Sequence, residues 1–386
     1  MRDPWNAFMP YPDADVGHPA VGPLSGLRLA VKDLFDVAGY PTAAGNAAVL
    51  AASGIKTSTA PLVQTLLDAG ACFVGKTNTD ELAYSLIGGN IHFGMPINPL
   101  DPHLIPGGSS SGSAVAVAAG FADIGLGTDT SGSIRLPAAV NGLIGWRPTH
   151  GSLDDRALRP LAPSFDVPGF MTRSLEPMAA VMSAVGMSAA NDQPSSILIA
   201  EDIFATINDA VADEMIASLR SAGMPVRRTN AIASVSLSDL ALAFITILQR
   251  EAWENNRTLF ERSPEAIAPD IAARLLSGSR LDDEEVREAG SIRELFSAEI
   301  DALLRENVVV ALPTLAMNPP RRDAEPERFA AFRSACIKLL CLSGLGGCPQ
   351  LAFPIVNCAG NVSLSLFGAR SADRMLMNVA RQLTAE

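Results

Sequence analysis

A run of small residues after an apolar segment is the part of the sequence best suited to chemistry. Residues 125–137 read Gly-Leu-Gly-Thr-Asp-Thr-Ser-Gly-Ser-Ile-Arg-Leu-Pro. Small residues on a tight turn can direct successive backbone N–H groups at one point, which suits an oxyanion. Ser133, at the end of this turn, would be well placed as a nucleophile, and a serine nucleophile needs a base.

Candidates for that base are few, because the chain contains only four histidines and four lysines. Lysine can act as a base when its removal from water lowers its pKa. Lys32 is the candidate, because it ends the apolar strand predicted over 27–31. The other interpretation is a strand-end lysine whose charge pairs with Asp33 or Asp36. The residues alone leave both interpretations open.

A second Gly/Ser loop, at 107–113, fits three interpretations. A phosphate-binding loop would end in Gly-Lys-Ser/Thr, and no lysine lies within thirty residues of it. A nucleophile elbow with Ser110 at its centre matches formally, but His150 is the last histidine, and such folds supply theirs near the C-terminus. The third interpretation is a turn whose hydroxyls cap the helix that follows.

Composition bounds the class of protein. The 386 residues leave two domains or one large α/β domain open, and 48% hydrophobic residues indicate a packed core. A net charge of −12 disfavours a nucleic-acid partner. No uncharged apolar stretch reaches 18 residues, so the sequence predicts no membrane span. The spacing of the five cysteines matches no zinc site. We therefore expect reduced cysteines, no metal, no cofactor and a cytoplasmic protein.

The elements that must position these loops alternate along the chain. Short apolar runs predict strands at 27–31, 72–75, 123–127, 196–200, 308–312, 350–356 and 362–367. Apolar residues at helical spacing predict helices at 59–69, 114–119 and 372–383. Helical patterns dominate between about 200 and 305. The alternation predicts a mixed α/β protein, with its chemistry in residues 26–175.

Taken together, the loops carry a resemblance to a known family. The motifs are Gly-Leu-Arg-Leu-Ala-Val-Lys-Asp at 26–33, Gly-Lys-Thr-Asn at 75–78, Gly-Gly-Ser-Ser-Ser-Gly-Ser-Ala at 107–114 and Gly-Thr-Asp-Thr-Ser-Gly-Ser-Ile-Arg at 127–135. Their order and spacing resemble the amidase signature family, including the 24 residues from Ser109 to Ser133. Within that family, the sequence is most similar to short amidases that hydrolyse indole-3-acetamide.

The resemblance implies a Ser–cis-Ser–Lys triad without cofactor or metal. Ser133 would be the nucleophile, and Ser109, preceded by a cis peptide, would be the bridging serine. Lys32 would be the base that deprotonates Ser133 through Ser109. The backbone N–H groups of residues 130–133 (Thr130, Ser131, Gly132 and Ser133) would form the oxyanion hole. Ser131 stands where the family usually has glycine, which affects the shape of the pocket more than the main-chain donors.

The resemblance also implies a fold, a central mixed β-sheet covered on both faces by helices. Residues 1–386 would form one large amidase domain, with a signature core at 26–175, a variable helix-rich segment at 185–300 and a return to the sheet at 305–386. Whether the chain is a monomer or a homodimer stays open.

The implied activity is hydrolysis of a small carboxamide to carboxylate and ammonia. The stretch 81–90 is mostly uncharged, so we expect a neutral aryl or arylacetyl amide. The alternatives are a urea-type or dicarboxylic monoamide substrate, such as allophanate or malonamate, and an amidotransferase subunit acting on a tRNA-bound substrate. A non-catalytic binding module is a further class, although all three triad residues are present.

Overall fold

The computed structural model describes residues 3–187, 193–221, 223–355 and 362–384. Its central feature is one mixed sheet of ten strands. The strands are β1 (Arg28–Lys32), β2 (Cys72–Thr77), β3 (Ile124–Asp129), β4 (Ile144–Arg147), β5 (Val167–Thr172), β6 (Ser196–Ala200), β7 (Val226–Thr229), β8 (Val308–Pro313), β9 (Gln350–Pro354) and β10 (Ser363–Phe367). They lie in the order β2-β1-β3-β5-β4-β9-β10-β8-β6-β7.

Helices cover this sheet, in agreement with the predicted α/β class. The α-helices are α1 (Ala47–Ser53), α2 (Pro61–Asp68), α3 (Ser111–Ala118), α4 (Arg135–Val140), α5 (Leu175–Ala184), α6 (Glu201–Phe204), α7 (Asp209–Ser221), α8 (Leu237–Arg262), α9 (Pro269–Arg280), α10 (Asp283–Leu303), α11 (Pro326–Gly346) and α12 (Asp373–Thr384). Two 3₁₀ turns lie at Glu81–Ala83 and Pro264–Ala266.

Each predicted strand is present, with shifts of a few residues at its ends. The sequence analysis missed β4, β5 and β7. Pro168 and Gly169 interrupt the β5 pattern, since neither residue favours a strand interior. Two exposed arginines fill the middle of β7, which lies at the edge of the sheet. The predicted end of the 350–356 strand, at Val356, lies outside the described residues, as does Cys358.

Three parallel strands bring the conspicuous loops to one edge of the sheet. β1 pairs with β2 and β3 in parallel, and Lys32 lies opposite Thr77 in the register. The carboxyl ends of parallel strands meet at the same edge, so Lys32 and the residues that end β3 come close together. β3 is buried along its whole length.

Small residues allow the Gly/Ser loop and α3 to pack directly on β3. A Cβ atom at Gly127 would lie 2.5 Å from Ser110 Oγ, and one at Gly125 would lie 2.9 Å from the Ser113 carbonyl oxygen. Both distances are shorter than any stable carbon contact. The glycines of β3 therefore set how closely the loop approaches the sheet.

The helix-rich segment forms a layer in which α8 packs against α9, α10 and α11. Within the described ranges, α11 is the one helix that is long and apolar enough to cross a membrane by length and composition. Its C-terminal half, from Leu339 to Gly346, is buried in the protein core. Burial inside the fold accounts for its apolar composition.

Candidate active site

Lys32 lies at the centre of the site, where β1 ends. Its side chain is fully buried, and Nζ donates hydrogen bonds of 2.8 Å to Ser109 Oγ and 2.8 Å to Thr128 Oγ1. Among the described residues it forms no ion pair with a carboxylate. Burial lowers the pKa of Lys32 to about 7, although the charges of Asp80, Asp166 and Asp129 act in the opposite direction.

The interpretation of Lys32 as a surface lysine paired with Asp33 or Asp36 is wrong. Asp33 instead forms a buried ion pair with Lys76, with 2.7 Å between Oδ1 and Nζ. Asp36 lies 3.5 Å from Lys56 in a partly exposed ion pair. Two other lysines therefore pair with the carboxylates that follow Lys32 most closely in sequence, and Lys32 has neutral hydroxyl groups as its hydrogen-bond partners.

Ser109 is held by its own backbone as well as by Lys32. The Gly108–Ser109 peptide is cis. The Ser109 carbonyl oxygen accepts hydrogen bonds from Thr79 Oγ1 at 2.8 Å and from the Asp80 N–H at 3.2 Å. A Cβ atom on Gly108 would lie 2.3 Å from Asp80 Oδ2, so only glycine fits there.

The turn that ends in Ser133 approaches Ser109 through the next residue of the loop. The Ser110 N–H donates to the Ser133 carbonyl oxygen at 3.3 Å. Ser133 is almost fully buried, and its Oγ makes no hydrogen bond within the described part of the chain. The structure thus brings Lys32 and Ser109 into direct contact and places Ser133 beside them with a free hydroxyl.

Asp129 organises this turn from inside. Its carboxylate accepts hydrogen bonds from the Gly132 N–H at 3.0 Å and the Ile134 N–H at 3.1 Å. Burial alone would raise the pKa of Asp129, but the charges of Arg135 and Arg147 outweigh it and hold the pKa well below its ordinary value. The turn is therefore built around a permanently charged carboxylate.

The predicted oxyanion donors differ in how they are used. The Gly132 N–H already has an acceptor in Asp129. Hydrogen bonds from the N–H groups of Thr130, Ser131 and Ser133 are not found among the described residues. Three of the four predicted donors thus remain able to bind a substrate oxygen, and Ser131 contributes its N–H as a glycine would.

Thr130 is fixed by a second buried carboxylate. Thr130 Oγ1 donates to Asp166 Oδ1 at 2.6 Å, and the N–H groups of Leu161 and Ala162 donate to Asp166 Oδ2. Burial raises the pKa of Asp166. The sequence analysis gave no role to Thr128, Asp129 or Asp166, although Thr128 and Asp129 lie inside a motif that it singled out.

The nucleophile-elbow interpretation of Ser110 is wrong. Ser110 Oγ is buried, donates to the Thr128 carbonyl oxygen at 3.2 Å and accepts from the Thr128 N–H at 3.3 Å. It therefore joins the loop to β3. His150 lies elsewhere, with Nε2 3.0 Å from the Pro163 carbonyl oxygen. In the described ranges no group of three His, Cys, Asp or Glu side chains could hold a metal ion.

Comparisons with known proteins agree with this geometry. The profile of the family described as Amidase matches residues 12–377. Amidase 1 of Oryza sativa subsp. japonica is 35% identical over 94% of this chain and 90% of its own length. The 1-carboxybiuret hydrolase subunit AtzE of Pseudomonas sp. (strain ADP) is 31% identical over 86% of this chain and 77% of its own. A crystal structure of an amidase superposes with a TM-score of 0.83 at 30% identity, covering 94% of this chain and 85% of that one.

The fold and the site define a hydrolase that acts on amide C–N bonds. The chain belongs to the amidase family, with the signature motifs that the sequence analysis singled out.

Proposed function

We propose that this protein hydrolyses a small linear carboxamide to a carboxylate and ammonia through a serine acyl-enzyme. Ser133 is the nucleophile, Ser109 the bridging hydroxyl and Lys32 the base. The observation that supports this assignment most strongly is the Lys32 amine, which is fully buried, lacks a carboxylate partner and lies 2.8 Å from Ser109 Oγ. A buried amine in these surroundings can be neutral near pH 7 and can accept a proton.

The first step moves two protons and forms one bond. Neutral Lys32 takes the proton of Ser109 Oγ while Ser109 Oγ takes the proton of Ser133 Oγ. Ser133 Oγ then forms a bond to the amide carbon, and the N–H groups of Thr130, Ser131 and Ser133 stabilise the negative charge on the amide oxygen. The rate should rise with pH through about 7, because only the neutral form of Lys32 accepts the proton.

The second half of the reaction cycle restores the starting protonation of Lys32 and the two serines. The ammonium of Lys32 supplies a proton through Ser109 to the leaving nitrogen, the C–N bond breaks, and ammonia departs. Water then loses a proton along the same path and attacks the ester carbon of the acyl-enzyme. Lys32 returns that proton through Ser109 to Ser133 Oγ as the ester C–O bond breaks, and the released carboxylic acid loses its own proton to solvent. Lys32 and both serines end in their starting states, so the cycle needs no other reactant than water.

For the acyl group, we propose first a neutral aryl or arylacetyl amide. An apolar cavity next to the 81–90 stretch supports an acyl group of this size. The second candidate is an amide with an anionic group, as in allophanate or malonamate. Two arginines in the same cavity, and the likeness to a 1-carboxybiuret hydrolase subunit, favour it. The charge of −12 disfavours an amidotransferase subunit that binds tRNA.

We propose a cytoplasmic setting for this enzyme, with a small-molecule amide as its partner rather than a nucleic acid or a membrane, and with no metal or cofactor. Residues 1–386 are proposed to form one domain, because strands from the segments 28–172 and 308–367 share a single sheet. Sedimentation velocity would distinguish a monomer from a homodimer.

The experiment compares Ser133→Ala with Ser111→Ala. Ser111 Oγ is buried and has no partner among the described residues, so its loss removes a neighbouring hydroxyl without breaking a bond. Ammonia release from a panel of neutral and anionic amides should fall about 10³-fold or more in Ser133→Ala and by less than about threefold in Ser111→Ala. Added hydroxylamine should divert product to the hydroxamate. A Ser133→Ala enzyme that kept a tenth of the activity would disprove the assignment.

A further inference from the structure

A cavity of about 700 Å³ lies between the 81–95 segment, α9 and the N-terminal half of α11. We call it the Arg333 pocket. Most of its wall is apolar and includes Ile87, Met95, Ile271 and Phe329. Its volume is typical of sites that enclose a small organic molecule, and it is larger than a simple amide such as acetamide needs.

The acidic side chains in the wall of the Arg333 pocket are paired with groups other than Arg333. Glu81 accepts hydrogen bonds from Asn46 Nδ2 at 2.6 Å and from the Ala268 N–H at 2.9 Å, and lies 3.1 Å from His92. Asp270 is paired with Arg274 at 2.9 Å. Both acids in the wall therefore already have partners.

Arg333 has none. Within the described residues its guanidinium makes no ion pair and no hydrogen bond, and its Nε atom is buried. Burial lowers the pKa of Arg333 to about 10, so the group still carries its charge at neutral pH. A partly buried cation that forms no ion pair is costly, and a bound anion would reduce that cost.

Tyr84 directly precedes the pocket residue Ser85 and carries a second unpaired group. Its Oη atom is buried without a hydrogen-bond partner among the described residues. Burial raises the pKa of Tyr84 to about 12, and the charges of Arg333 and Arg274 act against that rise. Arg274, which also lines the pocket, donates a hydrogen bond to the Tyr84 carbonyl oxygen. The Tyr84 hydroxyl is not part of the pocket wall, so Arg333 is the donor in the wall that lacks an acceptor in the described part of the chain.

One side of the Arg333 pocket packs against the loop that carries Ser109, although Lys32, Ser109 and Ser133 are not themselves part of its wall. Its residues Ser85, Ile87 and Gly89 alternate with residues that touch the Ser109 loop. The Gly108 N–H donates to the Leu86 carbonyl oxygen at 2.9 Å, and a Cβ atom on Gly88 would lie 2.8 Å from the Gly107 carbonyl oxygen. One side of the pocket is therefore one residue away from the peptide before Ser109.

The position of Arg333 on helix α11 gives its distance from the turn that carries Ser133. Leu340 contacts the nucleophile turn, since a Cβ atom on Gly132 would lie 2.4 Å from Leu340 Cδ1 and Arg135 donates to the Leu340 carbonyl oxygen. Arg333 precedes Leu340 by seven residues, two helical turns along the same face, which is about 10 Å. A substrate that reached from Ser133 to Arg333 would need an acyl group of about that length.

We propose that Arg333 binds a carboxylate at the far end of the substrate's acyl group, while the apolar wall encloses the body between carboxylate and amide. The inference rests on the proposed function, because it takes the amide end to lie at Ser133. It names a substrate class, carboxylate-bearing aryl or long-chain monoamides, in place of the neutral amide expected from the 81–90 stretch. Short anions such as malonamate would not span the distance.

The kinetic test uses two matched amides, 4-carboxyphenylacetamide and 4-methylphenylacetamide. Wild-type kcat/KM should favour the carboxylate about tenfold or more, the range expected of charge-assisted hydrogen bonds. Arg333→Met should abolish this preference and leave hydrolysis of the methyl compound within about threefold, and Arg333→Lys should keep part of it. Arg328→Met is the control, because it removes the same charge from an exposed position of α11.

A binding measurement separates this inference from the proposed function. Calorimetric titration of Ser133→Ala with 4-carboxyphenylacetamide should show binding at least about tenfold tighter than after the further change Arg333→Met. If the wild type hydrolysed both amides equally well, the carboxylate site would be disproved and the amidase assignment kept. If the carboxylate bound through Arg333 but neither amide were hydrolysed, the site would stand and the proposed reaction would fall.

Discussion

Lys32 and Lys76 end two neighbouring parallel strands, and both side chains are buried. Lys76 Nζ lies 2.7 Å from the Asp33 carboxylate and also donates to the Pro41 carbonyl oxygen and to Thr42 Oγ1. Lys32 Nζ has two hydroxyl groups as partners. Removal from water lowers the pKa of both amines, so burial alone does not distinguish them.

The hydrogen-bond partners of the two lysine amines distinguish them. Three acceptors around Lys76, one of them charged, favour its ammonium form, and Asp33 in turn accepts hydrogen bonds from Tyr11 Oη and the Ala43 N–H. Hydroxyl groups can accept or donate, so Lys32 can exist with or without its proton. The comparison teaches that a buried lysine stabilises the fold when a carboxylate pairs with its charge, and can do chemistry when its hydrogen-bond partners are neutral.

The largest effect is expected from substitution of Lys32. Lys32→Met and Lys32→Arg should each lower kcat/KM about 10³-fold or more at neutral pH, because methionine has no basic nitrogen and arginine does not give up its proton. Ammonia release from a neutral amide measures the loss. An active Lys32→Arg enzyme would show that the residue supplies charge rather than a base.

Lys32→Met should not lower stability. The folded state holds the pKa of Lys32 below its unfolded value, so this residue costs stability fully below about pH 7, and the cost disappears as the pH rises above the ordinary lysine pKa. Lys32→Met removes that cost. Its thermal midpoint at neutral pH should equal or exceed that of the wild type.

Lys76→Met is expected to do the opposite. It leaves the Asp33 carboxylate buried without its counter-ion, which should lower the free energy of unfolding by about 3–5 kcal/mol. Denaturant titration measures this loss. The double variant Asp33→Asn/Lys76→Met should regain much of it, since the amide carries no charge. Equal stability of Lys76→Met and wild type would contradict the ion-pair account of this site.

A smaller effect should follow from the loss of one hydroxyl partner. Thr128→Val removes one of the two acceptors of the Lys32 amine, which should lower kcat/KM about fivefold and move the midpoint of the pH–rate profile to lower pH. Thr42→Val removes an acceptor of Lys76 in the same way and is the control. A shift of the pH midpoint in Thr42→Val but not in Thr128→Val would reverse the roles of the two lysines.

Much of the fold could be predicted, because strands such as 196–200 and 308–313 are short apolar runs bounded by loops. β5 could not, since Pro168 and Gly169 hide its pattern and only pairing with β3 and β4 makes it a strand. Ser133 and Lys32 were named from a loop of small residues and from the scarcity of lysine, whereas the role of Ser109 came from the resemblance to the amidase signature family.

Other parts of the site depend on contacts that the local sequence does not encode. The Thr128 hydroxyl meets Lys32 because β1 and β3 are adjacent, and the strand pattern alone does not reveal their register. Arg333 lies 200 residues after Ser133 in an apolar helix, and only the packing of α11 brings it beside the 81–90 stretch. The sequence-based expectation of a neutral substrate was therefore drawn from the 81–90 stretch without Arg333.

The most direct measurement is the titration of the lysine side chains themselves. With four lysines in the chain, protein grown with ¹³Cε-labelled lysine gives few signals, and single Lys→Arg variants assign them by NMR. The account predicts that the Lys32 signal changes from ammonium to amine with a pKa of about 7. A Lys32 signal that stayed in the ammonium form up to the ordinary lysine pKa would contradict the role of Lys32 as the base.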